Sequence, residues 1–336
     1  MRKLYSCLIL FLCSTIYGQK SFNDFAQFYP IGEDPSVRYM TSYTKQETIL
    51  FEANPIIRYS LYNNFMKGLM DENQKHTQAW YIAFKPQLRM YTDNSLPVRT
   101  PSYKILLGTQ HLFRINATNT ENQNFWGFSL ESGHYSNGQD GSSFSELYPD
   151  GSPEGDAIYN TIDQSTDLSK IINRRSGNFS TNLTEIIFNY RTYKIDDDNV
   201  PKQLHSFNLG YTLYHNRFVG IGNFGGYTPN DIKIYGRHRL SAGYEFMKVL
   251  QKLDDKRFSI KQNLELIEKP HQSVNPFRSE SIVTFYPFTK SKTVGFFVSY
   301  IYGHDNYNLR LVDSGHQATF GITWSQFPPF SITNKL

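Results

Sequence analysis

The sequence predicts an all-β chain, an antiparallel transmembrane β-barrel of about 12 strands, and three observations carry that prediction. Segments of about ten residues alternate apolar and polar side chains between Asn/Asp/Gly-rich turns. Aromatic residues make up 16% of the chain, with 24 Tyr and 26 Phe, many of them at segment ends where a barrel carries its interfacial girdles. The chain also opens on an export signal. No stretch approaches the roughly 20 consecutive apolar residues of a spanning helix, which excludes a helical membrane protein. A net charge of +4 over 336 residues offers no groove for nucleic acid, and none is expected as a partner.

Residues 1–18 read as a signal peptide: Arg2 and Lys3, an apolar run over 4–17, and Gly18 before the expected cleavage point. Phe11 and Leu12 before Cys13 do not supply the small residues of a lipoprotein signal. The chain's 2 cysteines, Cys7 and Cys13, both fall in this segment, so disulfides and thiol catalysis are excluded from the exported chain. Residues 19–336 are expected to form one barrel domain, multi-pass in the outer membrane of a Gram-negative bacterium.

Taken in order, the expected strands cover 36–44, 49–62, 80–92, 102–115, 124–138, 178–195, 203–217, 232–250, 257–270, 280–289, 293–304 and 316–327. The last is the clearest: Ala318, Phe320, Ile322 and Trp324 alternate with Gln317, Thr319, Gly321 and Thr323. Val294, Phe296, Val298, Tyr300 and Tyr302 give another apolar face, as do Phe207, Leu209, Tyr211 and Leu213. The segment 36–44 is counted because single-chain bacterial barrels close with an even number of strands. A secreted β-sandwich also alternates; strand length, aromatic ends and the export signal favour the barrel. Segment 139–175 reads as a long extracellular loop and 196–202 as a periplasmic turn. The connection 63–78 is long for such a turn, and the sequence gives no account of it.

One segment departs from this monotony: Trp126-Gly127-Phe128-Ser129-Leu130-Glu131-Ser132-Gly133-His134-Tyr135-Ser136-Asn137-Gly138. His134 and Ser136 are two apart, so on a strand they share a face with Cα atoms roughly 6.5–7 Å apart. That spacing lets an imidazole take the proton of a hydroxyl that is a weak nucleophile by itself. Trp126, Phe128 and Leu130 have the same parity, so the pair continues a lipid-facing row toward the outer rim. On the next strand Asn178 and Asn182 share parity with Ile186, Phe188 and Tyr190. Either amide oxygen can fix the imidazole tautomer without setting a bare carboxylate against hydrocarbon.

His134-Tyr135-Ser136-Asn137-Gly138 at a strand end, followed by Ser176-Gly177-Asn178 opening the next strand, resembles the outer membrane phospholipase A family, whose motif is His-x-Ser-Asn-Gly, then a short loop, then Ser-Arg-Ser-x-Asn. The resemblance is specific over 126–138 and looser over 174–190. It implies Ser136 as nucleophile, His134 as general base, Asn178 as the residue orienting His134, and the Gly138 backbone N–H as an oxyanion donor. It also implies calcium (Ca2+) as cofactor, membrane phospholipids as substrate and a homodimer as the active form. Two departures stand out. The intervening loop is long, and Arg174 occupies the place of a serine that ligates calcium in the family. Ser176 is the first substitute ligand, with Ser142, Ser143 and Asp140 as further oxygens. If Asn182 orients His134 instead, Asn178 falls four positions before it.

A lipid A 3-O-deacylase is a second family with a His-x-Ser-Asn stretch on a barrel wall, set apart by an acidic third member and a smaller barrel. The non-enzymatic alternative is a porin or structural barrel. The other histidines form no metal-spaced pair. Arg237 and Arg239 are expected in the lumen, paired with Glu245 or Glu265. The acidic run 196–199 reads as a solvated turn, and Asn116-Ala117-Thr118 matches a glycosylation sequon.

Overall fold

The structure, a computed structural model, describes residues 27–42, 48–71, 73–92, 97–115, 122–195, 201–218, 222–223, 225–288 and 293–325. The expected signal peptide with both cysteines, the sequon at Asn116 and the run 196–199 lie outside the described residues.

The strands are β1 Ser36–Met40, β2 Ile49–Asn54, β3 Ile57–Asn63, β4 His76–Tyr91, β5 Val98–Arg114, β6 Asn122–Ser136, β7 Ser180–Ile195 and β8 Pro201–His215. After them come a short hairpin, β9 Arg217–Phe218 with β10 Gly222–Asn223, and then β11 His238–Leu250, β12 Lys256–Ile267, β13 Phe277–Tyr286, β14 Val294–His304 and β15 Ser314–Trp324. β2 and β3 both pair with β4 and are two halves of one wall position, interrupted at Pro55, which has no N–H to give a ladder. β1 pairs with β15 from Ser36↔Thr323 to Met40↔Thr319 and with β2 on its other side, which closes the sheet. The result is a closed antiparallel barrel of 12 strands with the β9–β10 hairpin outside the wall. Closure leaves no unpaired edge, the condition for a sheet to stand in hydrocarbon.

Alternation assigns the faces. On β14, Phe296, Val298, Tyr300 and Tyr302 project outward into the open, while Phe297, Ser299 and Ile301 are buried toward the lumen. The same split holds on β15, where Phe320, Ile322 and Trp324 are outside. An exterior this apolar is stable only against lipid, and the chain is a multi-pass outer-membrane barrel. No helix among the described residues is long and apolar enough to cross a membrane.

Ion pairs and the chain's own N-terminal segment fill the lumen. Arg89 joins Glu52 and Asp305, both at 2.6 Å, and Arg38 joins Glu52 at 2.7 Å and Glu280 at 2.9 Å. Lys85 pairs with Glu131 at 2.5 Å. Residues 27–35 run inside the barrel, where the Gln110 side chain donates to the Ile31 carbonyl at 2.6 Å and accepts from its N–H at 3.1 Å. Arg191 donates to the Pro30 carbonyl, and Lys261 meets Asp34 at 3.2 Å. A cavity of about 400 Å³ remains between these groups. Arg239 reaches Glu265 at 3.6 Å as expected, but Arg237 precedes β11 and stays exposed, and Glu245 pairs with Lys261.

Short connections gather at one end and long ones at the other, which by the rule for such barrels is extracellular. The puzzling connection after β3 holds a short helix, α1 Phe65–Met70, with Phe65 buried. At the long-loop end, 139–175 folds back over the mouth with helix α2 Pro153–Thr161, N-capped by Ser152. Phe144 stacks on Tyr159 and Tyr235, and Leu168, Ile172, Ile234, Val274 and Leu311 complete a small apolar core above the lumen. The expected strand 232–250 is corrected at its start: Pro229–Tyr235 is a helix, α3. Thr228 and Asp231 form a reciprocal capping box around Pro at the first turn, and Gly236 at φ 73 ends the helix before β11 begins.

Candidate active site

β6 delivers His134 and Ser136 to the lipid-facing side of the wall. Ser129, Glu131 and Tyr135 line the lumen, whereas Trp126, on the other parity, is 57% exposed outside. On β7 the lumen side holds Leu183, Glu185 and Ile187, and Phe188 is 58% exposed on the outer side with Asn182 in the same row. The antiparallel register sets His134 opposite Asn182 and Ser136 opposite Ser180. His134 Nδ1 lies 3.0 Å from Asn182 Oδ1. An amide oxygen only accepts, so Nδ1 carries the hydrogen and, in the neutral ring, Nε2 is the basic nitrogen.

The expectation that Asn178 orients His134 is corrected. β7 begins at Ser180, and Asn178 lies before it, four residues and roughly 13 Å of strand from Asn182. Its amide donates to Asp150 at 2.7 Å, its N–H to the Gly141 carbonyl at 2.8 Å, and its carbonyl accepts from Ser143 at 2.5 Å. These bonds tie Asn178 to the long loop. Parity was insufficient here because it allows both amides; the choice depends on where the loop hands the chain back to the sheet.

Ser136 ends β6 half-buried, and among the described residues its hydroxyl makes no hydrogen bond, including none to His134. Asn137 next to it staples the strand exit to the return strand. Its amide donates to the Gly177 carbonyl at 2.7 Å, and its oxygen accepts the Phe179 N–H at 3.1 Å. Gly138 follows at φ +59, a left-handed turn with open space around it. Its N–H meets no acceptor among the described residues.

Ser176 does not fit a metal ligand. Its hydroxyl accepts from the Asn173 amide at 3.2 Å, and it packs so tightly on Gly141 that a Cβ there would come within 2.3 Å of Oγ. Arg174 turns inward to Asp313 at 2.7 Å. Among the described residues no three His, Cys, Asp or Glu side chains converge, short of the six to eight oxygens a calcium ion gathers. At the loop end of the wall the exposed Asp150 carboxylate accepts from the Asn178 amide at 2.7 Å, and Asp140 is exposed beside it in the chain fold, its carbonyl accepting the Asp150 N–H.

The sequence reading missed one feature. Beside Asn182 on β8, His215 Nε2 contacts Thr184 Oγ1 at 2.9 Å, Thr184 contacts Ser132 Oγ at 2.8 Å, and Ser132 donates to the Leu183 carbonyl at 3.2 Å. This chain satisfies hydroxyls that would otherwise face lipid bare. Only the three-strand register, Ser132↔Thr184 with Asn182↔His215, reveals it.

No protein-family model matches the sequence, and no curated protein matches it. Among solved structures, the chain is similar to an active-site mutant of outer membrane phospholipase A from Escherichia coli. The two are 10% identical over 94% of this chain and 96% of that one, with a TM-score of 0.47. It is similar to the calcium-bound outer membrane phospholipase dimer of Salmonella typhi at 9% identity, over 89% and 95% of the two chains, TM-score 0.45. It is also similar to LpxR from Salmonella typhimurium at 10% identity, over 88% and 100%, TM-score 0.34. At these identities the likeness is one of barrel fold.

Proposed function

We propose that the chain is an outer-membrane phospholipase of the A type, hydrolysing the sn-1 or sn-2 acyl esters of glycerophospholipids that reach its outer rim sideways. The observation that carries this reading is the His134–Asn182 hydrogen bond on the lipid-facing wall, two residues from a serine hydroxyl with no hydrogen-bond partner among the described residues. Polar side chains on that face are costly, and a hydrogen-bonded base beside a nucleophile is a chemical reason to keep them there. Ser136 Oγ attacks the ester carbonyl as His134 Nε2 takes its proton. The imidazolium, held by Asn182 through Nδ1–H, returns that proton to the departing alkoxide. Water then cleaves the acyl-enzyme with His134 again as base. The Gly138 N–H is the oxyanion donor, outside a strand ladder and open to the developing charge.

Ca2+ and a homodimeric active form belong to this proposal through the family resemblance. An intact outer leaflet holds few phospholipids, so activity is expected to wait on membrane damage. The test is fatty-acid release from phosphatidylethanolamine micelles by the purified barrel. Ser136→Ala and His134→Ala are each expected to lower the rate on the order of 10⁴-fold. Full activity in either variant overturns the assignment, and release from lipopolysaccharide alone would move it to lipid A deacylation.

A further inference from the structure

Asn182 stands on the lipid-facing side of β7 yet is 0% exposed, while Phe188 in the same row is open. The cover is local. After β8 the chain turns at Arg217, whose N–H is taken by His215 Nδ1 at 3.1 Å, and β9 comes to lie beside β6 and β7. Gly225 and Gly226 lie over the wall there. A Cβ built on Gly225 would stand 2.3 Å from Asn182 Nδ2, 2.7 Å from Cγ and 2.8 Å from Oδ1, so the glycine backbone rests directly on the amide. Gly226 rests one step further along, with the Ser180 carbonyl 3.2 Å from its added Cβ. Beyond them the segment is anchored: Tyr227 is buried, packs on Tyr214 at 5.8 Å, and its hydroxyl donates to the Gly236 carbonyl.

We infer that Gly225 is a positioning residue for the proposed hydrolysis, pressing the Asn182 amide against the wall so that its oxygen stays on His134 Nδ1. An exposed asparagine on a strand rotates among several side-chain states, and only one of them presents Oδ1 to the imidazole. The strap removes the others and keeps water from competing for the same oxygen, which strengthens the bond in a low-dielectric setting. Glycine is required twice, because only a residue without Cβ can approach this closely, and φ at Gly225 is +123. The inference rests on the hydrolase reading of the site.

The test compares Gly225→Ala with Gly226→Ala, since both strain a positive-φ backbone but only the first touches the amide. Gly225→Ala is expected to lower kcat on phospholipid micelles at least about tenfold with KM within about twofold. Gly226→Ala is expected to stay within about threefold of the parent in both. In an Asn182→Ser background, where a shorter side chain leaves room for the methyl, adding Gly225→Ala is expected to cost no more than Gly226→Ala does in the parent, the remainder being backbone strain. Folding is followed by the electrophoretic mobility of the unheated barrel. A Gly225→Ala chain that folds only in the Asn182→Ser background also supports the clash. An equal penalty from both glycine substitutions, an equal penalty in both backgrounds, or failure to fold in both overturns the inference. If Ser136→Ala is inactive while Gly225→Ala matches the parent, the inference fails alone; if Ser136→Ala is fully active, the hydrolase reading fails with it.

Discussion

Asn182 gives its amide oxygen to His134 while lying fully buried, which makes it the side chain on which the proposed base depends for its tautomer. Asn182→Ala is expected to lower kcat on the order of 10²-fold, within the span that a well-placed general base contributes. Asn178→Ala removes only a rim contact to Asp150 and is expected to leave calcium-free kcat within about twofold of the parent. If calcium stimulates the proposed hydrolysis, Asn178→Ala and Asp150→Asn should blunt that response while Ser176→Ala preserves it, measured by titrating calcium into EDTA-stripped protein. Equal losses from the two asparagine variants would mean that the rim residue also orients the base. That His134 and Ser136 share the outer face of β6 was readable from spacing and parity, because a strand fixes the side of every second residue; their proposed roles come from the family resemblance. The choice between two asparagines of the same parity was not readable. It is set by register, and a long intervening loop leaves register free in the sequence.

Elements differ in how much of them local pattern determines. The strands alternate cleanly and their spans follow from that, whereas α3 hides inside an apolar run and is announced only by Thr228-Pro229 and the reciprocal Asp231. Loop 139–175 carries no repeating pattern, yet it makes the cap whose apolar core centres on Phe144. Phe144→Ala leaves a void between Tyr159 and Tyr235, and burial on this scale is worth roughly 3–5 kcal/mol. The expected outcome is rapid proteolysis within 139–175 while the unheated barrel keeps its folded mobility. Acid should act in the same direction. Hydroxyl and N–H donors of Ser165, with the Thr166 hydroxyl, hold the Asp163 carboxyl below the usual aspartate range. A depressed carboxylate contributes stability above its unfolded value and loses it as pH falls through the folded one. Cap cleavage by an acid-active protease is therefore expected to rise below about pH 4 and to rise less steeply from neutral pH in Asp163→Asn, which has no carboxylate to lose.

At the scale of the whole barrel, the question is whether a wall of 12 strands encloses a pore. Alternation predicts a polar interior, but a polar interior serves a channel and a filled core equally well, and no periodicity distinguishes them. The structure fills it. Arg89 pairs with Glu52 on the neighbouring strand and with Asp305 in the loop after β14, and residues 27–35 occupy the lower lumen through paired hydrogen bonds to Gln110. The space that remains, about 400 Å³, is bordered by Lys85, Lys104, Glu131 and Glu185. Of these, Lys85 and Glu131 are paired, and moving an ion past such a pair at low dielectric means separating it, which costs several kcal/mol. Planar bilayers containing the purified chain are therefore expected to show no steady conductance at moderate voltage. Gln110→Ala, which unfastens Ile31, is expected to add brief openings without changing fatty-acid release, because the lumen and the His134 face are opposite sides of one wall. A stable channel in the parent protein would favour the porin reading, and loss of hydrolysis in Gln110→Ala would show that the plug and the lipid-facing site are coupled through the sheet.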